Sequence, residues 1–138
     1  MIEEYLWLLG SIIFIILGSI HLAYTFFTNK FSSKNGQLMK EMKASYPILT
    51  KETTMWKAWI GFNASHSIGM LFIGLINFYI AIRYYDTLHA DHFFYVMNII
   101  VVAFFVWLGK NYWFKLPFIG VLTTLICYLI AYCITFTR

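Results

Sequence analysis

The stretch that decides the fold is YLWLLGSIIFIILGSIHLAYTFF, from Tyr5 to Phe27, which contains no charged residue. A helix needs about 20 consecutive apolar residues to cross the hydrocarbon core of a bilayer. Three similar runs follow at about 58–82, 93–109 and 116–136. Helices are predicted because the runs are continuous rather than alternating, and the chain is too short to close a barrel. The sequence therefore predicts an all-α membrane protein, a four-transmembrane-helix antiparallel bundle in a single domain, 1–138.

The composition excludes a water-soluble globule. Of the 138 residues, 61% are apolar and only 12% are charged, whereas soluble domains are nearer 45–50% apolar and about 25% charged. The net charge of +4 is typical of a membrane protein whose basic residues report topology and contact lipid headgroups. We therefore expect the lipid bilayer as a partner and no nucleic acid.

The distribution of lysine and arginine predicts the orientation. Six lysines lie between the first two helices and two more, Lys110 and Lys115, between the last two, whereas the opposite side has only Arg83 and Arg138. By the positive-inside rule, loops 28–57 and 110–115 are cytoplasmic and both termini are outside.

The first loop, about 28–57, is the only sizeable polar segment. Within it, QLMKEMKAS at 37–45 could form a short helix on the anionic inner leaflet, ended by Pro47. The alternative interpretation is a basic loop that only keeps this side of the protein in the cytoplasm and contains no site of its own.

The four spans contain no Asp, Glu, Lys or Arg. Ion pumps, proton-coupled carriers and voltage sensors normally need such groups inside the membrane, so those classes are disfavoured. The spans do contain His21 and His66, and at 1.5 Å per residue both lie about 6–7 Å from the middle of their helices, on the lysine-rich side. Helical projection places Trp59 and Asn63 on the same stripe as His66. We expect these four residues to face one shared polar layer, with Asn63 one turn nearer the cytoplasm than His66.

Three interpretations of this layer remain open. The side chains could only hydrogen-bond between helices. They could line a cavity for a small hydrophobic or amphipathic molecule, such as a lipid headgroup or a quinone. They could also hold a metal or a b-type haem through His21 and His66, one histidine from each of two helices. The sequence names no catalytic residue, leaves enzymatic activity undecided and gives no firm cofactor.

A stripe of small residues, Gly61, Ser65 and Gly69, follows the opposite side of the second span. Spacing by four lets another helix approach closely. The stripe could serve packing within the bundle or a homodimer.

The connection between the second and third spans contains His89, Asp91 and His92. Imidazole and carboxylate groups are ligands of Zn²⁺ and other divalent ions. The alternative interpretation is a short polar turn in which Asp91 caps the following helix.

The strings HLAYTFFTNKF (21–31), TMWKAWIGFNASHSIG (54–69) and YWFKLPFIG (112–120) resemble a family of small, uncharacterised bacterial membrane proteins with four predicted helices. The resemblance covers most of the chain. It implies a four-helix fold and the bacterial cytoplasmic (inner) membrane, and it supplies no activity and no functional residues.

Overall fold

The fold is all-α, as predicted. A computed structural model describes residues 2–136, and four of its helices are long and apolar enough to cross a membrane. The helices of the described range are α1 (Ile2–Phe27), α2 (Gly36–Ala44), α3 (Met55–Arg83), α4 (Tyr85–Ala90), α5 (His92–Tyr112) and α6 (Lys115–Phe136). The four long helices α1, α3, α5 and α6 correspond to the four predicted spans, and Arg138 lies outside the described residues.

Local capping sets the helix ends. Asp91 accepts a hydrogen bond from the Phe93 N–H at the start of α5, as predicted for its capping role. Asn35 caps α2 in the same way, and α2 ends before Pro47. At the start of α3, the Thr54 hydroxyl accepts from the Lys57 N–H, so this helix begins three residues earlier than the apolar run indicated. The short helix α4 was not predicted.

The described residues divide into two compact units, and the single domain 1–138 stays a prediction. The first consists of residues 2–17 with 70–136, and the second is Gly18–Gly69. The first unit contains the N-terminal part of α1, the C-terminal part of α3, and α4, α5 and α6. The second contains the rest of α1, the lysine-rich loop with α2, and the beginning of α3.

Aromatic side chains form the core of the first unit. Trp7 of α1 stacks on Tyr128 of α6 with 3.9 Å between the ring centroids and contacts Tyr95 of α5 at 4.5 Å. All three side chains are fully buried. Further along, Phe14 meets Phe105 edge to face at 5.4 Å. Such pairs stabilise by about 0.5–1.5 kcal/mol beyond their buried area, and here they join α1, α5 and α6.

Two glycines allow close helix contacts in this unit. A Cβ added at Gly74 of α3 would lie 2.8 Å from the Ile15 backbone nitrogen and 2.9 Å from the Ser11 carbonyl oxygen, so α1 and α3 pack backbone against backbone. A Cβ at Gly10 would lie 2.5 Å from the Tyr128 ring. The absence of side chains at these positions is therefore what allows the two approaches.

Polar side chains of the first unit bond between helices. The Ser11 and Tyr128 hydroxyls are 3.1 Å apart, and the Asn77 side-chain amide donates to the Asn98 oxygen across 2.7 Å. The Thr124 hydroxyl lies 3.3 Å from the Gly10 carbonyl oxygen. Such bonds leave few polar groups unpaired inside an apolar bundle.

Large apolar side chains remain exposed along the four long helices. They include Ile16, Phe62, Phe72, Phe104 and Leu116. Extensive exposed apolar surface is rare on soluble monomers. Together with the length of the helices, it supports contact with a lipid bilayer and a multi-pass membrane protein.

Candidate functional site: the polar layer of the second unit

A chain of hydrogen bonds runs through the second unit from α1 to α3 and on to the loop after α1. His21 Nε2 lies 2.9 Å from Asn63 Oδ1. The Asn63 amide nitrogen donates to the Trp59 carbonyl oxygen at 2.8 Å, which turns its oxygen toward His21. His21 therefore donates from Nε2. The Trp59 indole N–H donates in turn to the Phe31 carbonyl oxygen at 3.1 Å.

The two histidines predicted to share one layer are in direct contact. The rings of His21 and His66 meet edge to face with centroids 5.4 Å apart. His21 also contacts the Phe31 ring, with 4.5 Å between the ring centroids. The structure therefore brings together all four residues named from the helical projection, His21, Trp59, Asn63 and His66, and adds a loop residue that the projection could not include.

A cleft of about 300 Å³ lies beside this chain of hydrogen bonds. Two of its lining residues belong to the layer itself: the Thr25 hydroxyl donates to the His21 carbonyl oxygen at 2.8 Å, and Phe31 contacts the His21 ring. Its wall is half polar and half apolar, and consists of Thr25, Phe26, Thr28, Asn29, Phe31, Ser32, Trp56 and Ile60. A wall of this kind suits a molecule with a polar head and an apolar body.

Part of the polar wall has unused hydrogen-bonding capacity. Within residues 2–136, the side chains of Asn29 and Ser32 form no hydrogen bond with another residue. Thr28, by contrast, donates to the Tyr24 carbonyl oxygen and accepts from the Lys30 N–H. An amide and a hydroxyl are thus left to bond a polar group in the cleft.

The second unit is strongly basic. It contains six lysines and two glutamates, a balance of +4. The ammonium group of Lys43 lies 5.9 Å from the centre of the Trp56 ring, which lines the cleft. A cation in this place attracts an anionic or strongly dipolar head group.

A haem between His21 and His66 would require the two rings to move apart. A separation of 5.4 Å is that of two rings in ordinary contact, so no gap for a macrocycle separates them. The His21 Nε2–H is engaged by Asn63, so a metal at this residue would have to bind at Nδ1, which keeps its lone pair in that tautomer.

The three residues predicted as metal ligands near α4 are not gathered. Asp91 caps α5, the His92 ring stacks on Phe136 at 3.6 Å, and the His89 ring contacts Tyr85 at 5.8 Å. Among residues 2–136 no three His, Cys, Asp or Glu side chains are placed to hold a metal ion. The alternative interpretation, a polar turn with a helix cap, agrees with these contacts.

The stripe Gly61, Ser65 and Gly69 does not carry the tight packing of α3 found in the structure. A Cβ added at Gly61 or Gly69 would meet no atom within 4 Å, whereas one at Gly74 would meet the backbone of α1. The close contact of α3 therefore lies at a glycine that the spacing argument did not include.

Most of the cleft was missed from the sequence. Its wall lies largely on the turn after α1, at Thr28, Asn29 and Ser32, where helical periodicity has no meaning. On α3 the tryptophan in the wall is Trp56, which helical projection places on the stripe of Trp59 and His66. The cluster TNKFSS at 28–33, polar and directly after a span, was the only signal available.

Comparisons of the chain with protein-family models, with curated proteins and with solved structures give no match.

Proposed function

We propose that this chain is a non-catalytic membrane protein, a ligand-binding or accessory subunit, that binds a small amphipathic molecule in the cleft beside the His21–Asn63 layer. The observation that carries the proposal is the shared wall: Thr25 and Phe31 belong both to the cleft and to the hydrogen-bonded layer. The molecule's polar head would bond Asn29 and Ser32, and its apolar part would lie against Trp56 and Ile60. A lipid headgroup or a quinone has this chemistry.

The proposal includes an orientation and a membrane. Loops 28–57 and 110–115 face the cytoplasm and both termini lie outside, because eight of the ten basic residues lie on those loops. The membrane is the bacterial cytoplasmic membrane, in agreement with the family resemblance of 21–31, 54–69 and 112–120. The cleft then opens at the cytoplasmic interface, where lipid headgroups and quinone head groups are both found.

Binding can be measured with two probes of defined chemistry. Purified, delipidated protein is titrated with dioctanoyl phosphatidylglycerol and, separately, with decylubiquinone, and the bound fraction is read by native mass spectrometry. Ser32→Leu adds apolar volume inside the cleft and removes a hydroxyl, so it should weaken binding about tenfold, since tenfold corresponds to 1.4 kcal/mol. Gln37→Leu, an exposed change on α2 outside the cleft, is the matched control and should bind as the wild type does. The proposal fails if neither probe binds, or if Ser32→Leu binds as well as the control.

The alternative of a haem b or metal-binding redox protein using His21 and His66 makes a different prediction. It requires a Soret band, or a stoichiometric metal content, that is lost in His21→Ala and in His66→Ala. We expect a colourless protein because the two rings are in contact with each other. An absorption spectrum of freshly purified protein separates the two functions.

A homodimer through Gly61, Ser65 and Gly69 stays a prediction. The space around Gly61 and Gly69 is compatible with a second helix. Gly61→Leu should then lower the oligomer size in detergent, and an unchanged size would count against the dimer.

A further inference from the structure

The loop between α2 and α3 is closed at its neck. The Met55 N–H, at the first residue of α3, donates to the Ser45 carbonyl oxygen across 3.0 Å. The eleven residues 45–55 thus form a compact loop whose ends are adjacent, in the size range of an Ω-loop. Its tip is a turn in which the Thr50 N–H donates to the Pro47 carbonyl oxygen at 3.3 Å.

The tip of this loop presents apolar side chains outward. Ile48 is fully exposed and Leu49 is 92% exposed, which makes them the two most exposed large apolar side chains of residues 2–136. Tyr46 beside them is half exposed. Neither Ile48 nor Leu49 lies on a helix, so exposure to lipid along a span does not account for them. Apolar side chains held outward on a closed turn need an apolar environment.

The position of the loop indicates that the apolar environment of its tip is the membrane. Helix α3, which is long and apolar enough to cross a membrane, begins only six residues after Leu49. At about 3.3–3.6 Å per extended residue, the tip cannot leave the vicinity of the membrane surface. Trp56, at the start of α3, is the type of residue that marks a membrane interface.

The charges around the tip complement one partner in particular. Lys43 and Lys57 flank the loop, Lys51 lies within it beside Glu52, and Lys43 lies over the Trp56 ring. A bacterial or other anionic leaflet offers phosphate groups to the lysines and acyl chains to Ile48 and Leu49 at the same depth. A second copy of this chain would bring the same lysines against each other, which disfavours it.

We propose that the Ser45–Met55 loop is a non-spanning membrane anchor, which inserts Ile48 and Leu49 into the acyl boundary of the leaflet that carries the lysine-rich loop and binds anionic headgroups through the flanking lysines. The anchor holds the start of α3 and the end of α2 at the interface. It acts independently of any ligand in the cleft, so the two proposals fail separately.

The depth of the tip can be measured in the full chain. Cys127 and Cys133 are first replaced by Ala. Single cysteines are then introduced by Ile48→Cys and Leu49→Cys, with Gln37→Cys as the control. Each introduced cysteine is labelled with the fluorophore NBD. The proteins are reconstituted into vesicles of phosphatidylcholine with or without phosphatidylglycerol. In vesicles with phosphatidylglycerol, iodide in the aqueous phase should quench labels at 48 and 49 about threefold less than the label at 37, because Gln37 is polar and outside the tip.

Two further measurements distinguish an anionic lipid leaflet from a second copy of this chain as the surroundings of the tip. Lys43→Gln with Lys51→Gln should raise iodide quenching at position 48 in phosphatidylglycerol vesicles and change little in pure phosphatidylcholine. Diluting the protein in lipid should leave the protection unchanged, whereas protection by a second copy would disappear. Quenching at 48 and 49 equal to that at 37, or protection lost on dilution, would overturn the anchor.

Discussion

His21 Nε2 and Asn63 Oδ1 lie 2.9 Å apart and join α1 to α3 inside the second unit. The Asn63 amide is held by the Trp59 carbonyl oxygen, and the Ser67 hydroxyl donates to the Asn63 carbonyl oxygen at 2.7 Å. The imidazole therefore bonds to a group that is itself oriented by its own helix. An arrangement of this kind fixes the relative position of two helices in a region where apolar packing alone discriminates poorly.

The His21–Asn63 bond should be measurable as a coupling energy. His21→Ala and Asn63→Ala should each destabilise the protein, and the double variant should lose less than the sum. Interhelical hydrogen bonds in membrane proteins give couplings of about 0.6 kcal/mol and at most about 1.7 kcal/mol. Unfolding by SDS titration of mixed micelles supplies the four free energies. Ser65→Ala, on an exposed position of α3, should change stability little, and additive losses at His21 and Asn63 would contradict the bond.

Two glycines of α3 should respond in opposite ways to alanine. In Gly74→Ala the new Cβ meets the backbone of α1 at 2.8–2.9 Å, so the helices must separate, at a cost of about 1–3 kcal/mol. In Gly69→Ala it meets nothing within 4 Å, and alanine favours a helix by up to about 1 kcal/mol over glycine. Thermal unfolding in one detergent compares the two. Equal effects would show that α1 and α3 do not approach at Gly74.

Tyr85→Phe should stabilise the protein. The Tyr85 hydroxyl is buried and has no hydrogen bond of good geometry within residues 2–136, whereas the nearby Tyr95 hydroxyl lies 3.2 Å from that of Thr135. The Tyr85 hydroxyl has only a poorly aligned interaction with Tyr95, so removing it relieves a desolvation cost of up to about 1–3 kcal/mol. Tyr95→Phe is the matched control and should destabilise, since it leaves Thr135 without that partner. A loss of stability in Tyr85→Phe would indicate a bond that this geometry lacks.

Tyr85 should also make the free energy of unfolding depend on pH in the alkaline range. Burial raises the pKa of Tyr85 above its usual 10.0, and the neighbouring Tyr95, Glu3 and Glu4 raise it further. The unfolded chain then loses the phenol proton first, so stability is retained below pH 10 and decreases as the pH rises above it. Tyr85→Phe should show a shallower decrease in unfolding scans above pH 10. Identical slopes in the two proteins would contradict the raised pKa.

The orientation can be tested by chemical labelling. In a variant lacking Cys127 and Cys133, a cysteine at Thr87 should react with a membrane-impermeant maleimide in intact spheroplasts, whereas one at Gln37 should react only after lysis. The reason is the excess of lysine on the 28–57 loop. The reverse pattern would invert the topology and place the cleft on the other side of the membrane.

The polar layer could be predicted because it depends on regular geometry. A rise of 1.5 Å and a turn of 100° per residue relate His21 to α1, and Asn63 and His66 to α3, without knowledge of any side-chain contact. The cleft could not be predicted in this way. Asn29 and Ser32 lie on a turn, and their positions depend on the Trp59 bond to the Phe31 carbonyl oxygen, 28 residues away in the chain.

The four spans and their helical nature follow from local chemistry, because a bilayer requires every backbone polar group to be bonded within its own segment. The cap at Asp91 follows from its carboxylate at the start of a helix. Which faces of those helices meet does not follow from local chemistry. Both Gly69 and Gly74 are small and apolar, yet only Gly74 of the two lies against a backbone. Tyr95 and Tyr85 are residues of the same type, yet only the Tyr95 hydroxyl of the two has a hydrogen bond of good geometry. Those distinctions depend on the packing of residues 40 or more positions apart in the chain, and long-range packing leaves no periodic signal in one sequence.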